Sequence, residues 1–190
     1  PVAQGVIIAD QAPERNCGVL TDRVREALID VAERHRGVVM AVDSRMRIGE
    51  YREMALKPNE REAVRAIDPQ YEGEISLAAA EGAGRELAKR AGQPVYVTVG
   101  DKGILFCSHE GCQRIPAVKV TGPIDIVGAG DSTMAGIVSG LCCGATPAEA
   151  ALLGNLVASV TIRCLGTTGV ASQKQVLQAL EEWHRGREQP

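Results

Sequence analysis

The sequence predicts an α/β fold on a mainly parallel sheet, and three observations carry that prediction. Short apolar runs alternate with longer amphipathic stretches, the order that builds βαβ units. Two runs, Gly5-Val6-Ile7-Ile8-Ala9-Asp10 and Val38-Val39-Met40-Ala41-Val42-Asp43, are apolar almost throughout and close on an acid, as strands buried on both faces of a parallel sheet do. A glycine-rich turn, Asp125-Ile126-Val127-Gly128-Ala129-Gly130-Asp131, then enters a helix-periodic stretch, Ser132-Thr133-Met134-Ala135-Gly136-Ile137-Val138.

In order, residues 5–10 form the first strand and 11–20, with Pro13, Asn16 and Gly18, a loop. Thr21 caps a helix over 22–36 that carries Val24, Leu28 and Val31 on one face and stops at Gly37. After the strand at 38–43, residues 44–51 are basic and irregular, and 54–58 give a short strand that Pro58 keeps extended. Asn59 caps the next helix, and 74–91 form a longer one ended by Gly92 and weakened within by Gly82 and Gly84. A strand at 95–99, a tight turn at 100–103 and an antiparallel partner at 104–107 follow, with a further strand near 117–120. The helix over 131–143 stops at Gly144, and Thr146-Pro147 opens another that reaches about residue 165. Beyond the loop Gly166-Thr167-Thr168-Gly169, Ser172 caps a last helix, 173–185, with Val176, Leu177, Leu180 and Trp183 on its apolar side.

A chain of 190 residues suits a single domain, here 1–190, with a sizeable core. Charged residues at 24% and a net charge of -3 leave no general basic field for nucleic acid, and aromatics at 3% give no stacking surface for single strands. No apolar run reaches the length of a membrane span, and Pro1-Val2-Ala3-Gln4 does not begin a signal peptide, so a cytoplasmic setting is expected. Because the chain opens on Pro1 rather than Met, a piece processed or cut from something longer is also expected. Six cysteines without a paired CxxC framework are expected to be reduced thiols, with Cys142 and Cys143 acting as small apolar helix residues. Cys107, His109 and Cys112 would be three zinc ligands, but a fourth at suitable spacing is missing and that reading is set aside.

The turn at 125–131 carries the chemistry. Converging N–H groups and the positive end of the helix dipole would face an anion, and Asp131 beside them would take a proton from an attacking hydroxyl. Plain turn chemistry with an acidic cap explains the same residues when they are taken alone. The full string resembles the second signature of the PfkB, or ribokinase-like, carbohydrate kinases, an Asp-x-x-Gly-Ala-Gly-Asp segment that ends in the catalytic base.

The resemblance extends over most of the chain. Asn59-Glu60-Arg61-Glu62 matches the family's Asn-x-x-Glu element, which implies that Asn59 and Glu62 position Mg²⁺, its waters and the nucleotide phosphates, although a capping box explains the same spacing. Thr98-Val99-Gly100-Asp101-Lys102-Gly103 resembles the strand end that lies against the nucleotide, implying Thr98, Gly100 and Gly103 as contacts. Asn155 matches a region near the adenine; a packed polar residue is the alternative. The loop 166–169, with backbone oxygens around Asp125 and Val127, resembles a site for a monovalent cation such as K⁺, but Ile126-Val127 stands where the family commonly carries Thr.

Implied together are a three-layer α/β/α fold, ATP and Mg²⁺ as cofactors, and a sugar or sugar-phosphate substrate. Asp131 would be the base, with the Gly128, Ala129 and Gly130 amides as the anion hole. Among subfamilies the pattern is nearest to bacterial heptose-phosphate kinase domains, though residues 11–17 replace their Asp-Tyr-Gly-Lys-Gly block and Asp43-Ser44-Arg45 their Asp-Pro-Lys. The Gly-Gly sugar element and the β lid of the N-terminal part are absent from this sequence, and homo-oligomers or association with that part are expected. The competing class is a non-catalytic nucleotide-binding regulatory or interaction module that uses an open sheet edge. A Rossmann dinucleotide site is disfavoured, since the Gly128-Ala129-Gly130 turn comes late and lacks the third glycine.

Overall fold

The computed structural model describes residues 3–188; Pro1 and Val2, which the signal-peptide and chain-start expectations invoke, lie outside the described residues. Two compact units make up the chain. One runs through Val99 and takes in Leu105–Arg114, and the other is Gly100–Ile104 with the chain from Ile115 onward.

The first unit holds the sheet apart from Ile104 and Ile115, the end residues of its last two strands. Its strands are β1 (Gly5–Asp10), β2 (Val39–Ser44), β3 (Ala55–Leu56), β4 (Val95–Thr98), β5 (Ile104–Ser108) and β6 (Gly111–Ile115), joined edge to edge in that order. The first four are parallel, with Gly5 opposite Val39, Ala41 opposite Ala55 and Leu56 opposite Val95. The connections from β4 to β5 and from β5 to β6 are too short for a parallel crossover, so these strands turn back on one another. Helices α1 (Asp22–Arg34), α2 (Glu60–Ile67) and α3 (Leu77–Ala91) supply Ile29, Ala63, Val64 and Leu87 to a core shared with Ile8, Met40, Val42, Leu56, Val95 and Val97.

β2 is buried on both faces as expected, but β1 is not. It forms the sheet edge, with Ile8 5% exposed and Ile7 47%, because only one of its faces meets the helices. α1 ends at Arg34 instead of running to 36, since the His35 N–H already closes on the Val31 carbonyl. It buries Arg25, Ile29 and Ala32 and leaves Val31 exposed. α3 starts at Leu77 rather than 74, where the Ser76 hydroxyl accepts the Ala79 N–H. The strand expected near 117–120 is instead β6, which ends just before Pro116, a residue with no N–H to give a ladder.

Cys107 and Cys112 form a disulfide, which corrects the expectation that all six thiols are free; the other four are. The two-residue turn His109-Glu110 sets the pair directly opposite, with Cα atoms 4.1 Å apart. Gly84 of α3 makes room for it, because a Cβ there would lie 2.7 Å from Cys107 Sγ. A mid-helix glycine costs roughly 1 kcal/mol relative to alanine, less than a side chain driven into that sulfur would.

The second unit is helical: α4 (Ala129–Cys142), α5 (Pro147–Thr161) and α6 (Gln173–Glu188). α4 starts two residues before the expected 131, and α5 stops at Thr161 instead of about 165. α4 and α5 meet backbone to backbone, since a Cβ on Gly136 would stand 2.8 Å from Gly154 Cα and one on Gly154 2.9 Å from Ile137 Cγ1. α6 buries Ala179 and leaves Leu177 59% exposed, which displaces Leu177 from the expected apolar side. No helix among the described residues is long and apolar enough to cross a membrane.

The segment expected to be irregular, 44–51, contains a buried polar knot. Asp10 accepts hydrogen bonds from Ser44 Oγ (2.8 Å), Arg47 Nη2 (3.0 Å) and Tyr51 Oη (3.2 Å), and Arg47 also donates to the Ala12 and Pro13 carbonyls. Burial opposes ionisation of Asp10, but the bonds from Arg47 and Ser44 outweigh it and hold the carboxyl below 3.8. Burial and the Asp10 charge push the Tyr51 hydroxyl up to about 12. Removing the Asp10 charge strands the buried Arg47 guanidinium, so Asp10→Asn should cost about 3 kcal/mol of stability, read from urea midpoints at neutral pH. The native carboxyl titrates lower than the unfolded one. Its contribution is therefore present above 3.8 and lost as pH falls through the folded-state value, so the gap between the two proteins should close in acid. Equal midpoints at neutral pH would show that the ion pair adds nothing.

Candidate functional site

In the first unit the expected residues gather at the carboxyl ends of β2, β3 and β4, where open α/β sheets present ligands. Lys57 follows β3, with its backbone N–H bonded to the Val42 carbonyl and its Nζ 2.8 Å from Asp43 Oδ2. Asn59 bridges in parallel to Thr98, whose N–H donates to the Pro58 carbonyl at 2.9 Å. Asn59 and Glu62 form a capping box: Asn59 Oδ1 accepts the Glu62 N–H and Glu62 Oε2 accepts the Asn59 N–H, both at 2.8 Å. The structural explanation of that motif is thus realised, and Glu62 Oε1 has no hydrogen bond among the described residues.

Burial raises the Glu62 carboxyl above its usual value. The Asn59 amide works against this, the Asp43 charge adds to it, and Lys57 and Arg45 offset part of it. Buried Lys57 pairs with Asp43, and with Arg45 it offsets the charge of Asp43 on Glu62. Sequence reasoning passed over the Lys57–Asp43 pair. A lysine after a two-residue strand and an acid at the end of its parallel neighbour are the signal that would have found them.

In the second unit, Gly128 caps α4 in the left-handed conformation (φ 77°), and a Cβ there would collide with Thr168. Ala129, Gly130 and Asp131 are the first three helical residues. The Ala129 N–H donates to the Ile126 carbonyl at 3.1 Å, so one of the three expected anion-hole amides is already engaged. Those of Gly128 and Gly130 have no partner among the described residues. Asp131 is exposed at the positive end of α4, and its carboxylate makes no hydrogen bond there.

Asp125 fastens the neighbouring loop. Its carboxylate accepts the N–H groups of Val127 (3.0 Å) and Gly166 (2.9 Å), which hold it below its usual value. Ile126 and Val127 are 72% and 64% exposed. Gly103 (φ 100°) presses on the Ile115–Ala117 backbone, leaving no room for a side chain, whereas Gly100 (φ 58°) has open space around it. Asn155 is buried and donates its amide to the Ile115 and Pro116 carbonyls at 3.2 and 3.0 Å, the packed arrangement that was its alternative.

Residues 15–174 match the profile of the pfkB family carbohydrate kinases. The bifunctional protein HldE of Nitratiruptor sp. is 32% identical over 170 residues, 88% of this chain and 34% of that protein. HldE of Citrifermentans bemidjiense is 33% identical over 164 residues, 85% of this chain and 33% of that protein. The chain therefore spans about a third of the length of these relatives. Among solved structures, phosphofructokinase-2 from Escherichia coli in complex with potassium superposes with a TM-score of 0.74 at 21% identity, over 96% of this chain and 58% of that one. Ribokinase from Thermotoga maritima gives 0.68 at 23% identity, over 92% and 56%. These likenesses show a ribokinase-like fold.

The capping box separates structure from chemistry. Asn59→Ala should cost about 1 kcal/mol in denaturant unfolding. Glu62→Gln, whose amide oxygen still accepts the Asn59 N–H, should stay within about 0.5 kcal/mol of the parent. A large loss for the glutamine variant would mean that the charge itself holds α2.

Proposed function

The chain belongs to the pfkB carbohydrate kinase family, and from that premise we propose that it serves ATP-dependent phosphoryl transfer to a hydroxyl of a sugar or sugar phosphate. The observation that carries this reading is the exposed Asp131 carboxylate, unbonded among the described residues, one turn into a helix that opens on the left-handed Gly128. Asp131 takes the proton from the attacking hydroxyl. The amides of Gly128 and Gly130 receive the charge that develops on the transferred group, with the Ala129 amide fixing the turn that aims them.

Mg²⁺ would shield the phosphate charge. Glu62, with an oxygen unused by the capping box, and Asn59 hold its waters. Thr98, Gly100 and Gly103 line the nucleotide, and Asn155 acts on it through the Ile115–Pro116 backbone that it holds. Backbone oxygens around Asp125 and Val127, with the loop 166–169, take a monovalent cation; the potassium complex of phosphofructokinase-2 supports that assignment. A second reading, a nucleotide-binding module without catalysis, draws on the open β1 edge with its exposed Ile7.

In the complete enzyme, Asp131→Asn should retain ADP and ATP-analogue binding by calorimetric titration in Mg²⁺ while losing about 10²–10⁴-fold in turnover on a panel of sugars and sugar phosphates. Replacing Gly130 with valine should weaken the nucleotide instead. Unchanged turnover would remove Asp131 from the base role, and tight nucleotide binding with no turnover on any acceptor would favour the module.

A further inference from the structure

We propose that Arg45 is a phosphate-binding residue, gripped by Gln11 so that the outer edge of its guanidinium meets a phosphate group at the carboxyl end of β2. Its place in catalysis rests on the phosphoryl-transfer reading above, while the residues that build the site all lie within the first unit.

The backbone sets the position. β2 ends at Ser44, and the Arg45 N–H continues the sheet by donating to the Asp10 carbonyl at 3.2 Å. Gln11, the residue after β1, is thereby brought alongside, and Arg45 Nε donates to Gln11 Oε1 at 2.6 Å. That bond fixes the inner edge of the guanidinium. The side chain is exposed, and neither of its Nη groups makes a hydrogen bond or ion pair among the described residues. A guanidinium held at Nε offers its two Nη groups as a planar fork, which matches two oxygens of a phosphate.

Charge sets Arg45 apart from its neighbours. Arg47 is paired with Asp10 at 3.0 Å and Lys57 with Asp43 at 2.8 Å, whereas the side chain that holds Arg45 is a neutral amide. Glu62 feels the Arg45 charge, but no ion pair joins the two among the described residues, and Glu62 Oε2 is taken by the Asn59 N–H. Arg45 therefore carries its charge to the end of the sheet where α/β folds present ligands, with no carboxylate in contact with it among the described residues. Two phosphates fit such a fork, the terminal one of the nucleotide and one carried by the acceptor. Thr98, at the end of β4, is two strands or roughly 10 Å from β2, a distance that either can span.

The test is a ³¹P NMR titration of the complete enzyme with inorganic phosphate, first without nucleotide and then with a non-hydrolysable ATP analogue in Mg²⁺. Arg45→Gln should weaken phosphate about tenfold, and Arg45→Lys should fall between it and the parent. Gln11→Ala, which frees the guanidinium without removing it, should give a smaller loss. Both side chains are exposed, so urea midpoints should stay at the parent value. Phosphate that binds beside the analogue marks the site as the acceptor's, and phosphate displaced by an analogue that Arg45→Gln also weakens marks it as the nucleotide's. Equal phosphate affinity in the parent and Arg45→Gln, or no phosphate binding by the folded parent, would overturn the assignment. Turnover does not enter these titrations, so an Asp131→Asn variant of full activity would remove the base and leave Arg45 in place.

Discussion

A backbone hydrogen bond of 2.9 Å, from the Thr98 N–H to the Pro58 carbonyl, extends the parallel ladder past the end of the two-residue β3. It brings the start of α2 level with the end of β4, and the positions of Asn59 and Lys57 depend on that register. Asn59 can then cap α2 from a fixed position, and Lys57, one step earlier, reaches Asp43 at the end of β2. Proline is suited to the junction because it keeps the preceding residue extended and has no N–H to satisfy.

The polar groups of the first unit are used in two ways. Around Asp10 every buried donor is directed at an acceptor, and the charge pair fastens edge strand β1 to the turn after β2. Nearby, Arg25 lies 5.8 Å from the Tyr51 ring centre and pairs through Nη2 with Asp22 and Glu50, while its Nε and Nη1 stay buried without hydrogen-bond partners. The same chain therefore holds one saturated ionic knot and one unsaturated one within a few residues.

Much of this was legible in the sequence. Strands β1, β2 and β4, the Thr21, Asn59 and Thr146 caps, and the helix that follows Gly128 all follow from local patterns of apolar period and cap chemistry. What was not legible depended on partners distant in the chain. The exposure of Ile7 follows from the place of β1 in the sheet order, and the burial of Arg25 in place of Val31 from Tyr51 and Glu50. The disulfide follows from which residues a two-residue turn sets opposite one another, a geometric fact that cysteine counting does not contain. Among the candidate residues, local pattern anticipated the capping box and the helix that carries Asp131, while Lys57–Asp43 required knowing that β2 and β3 are neighbours.

The contact of α4 with α5 through Gly136, Gly140 and Gly154 is made largely of main chain. Such a contact freezes few rotamers when it forms, so its strength owes little to side-chain order that thermal motion could take back. It also leaves no flexible cushion between the helices, so one is not free to slide along the other. The start of α4, with Asp131 on its first turn, thereby inherits the position of α5 almost rigidly, and freedom of movement falls to the loop before Gly128.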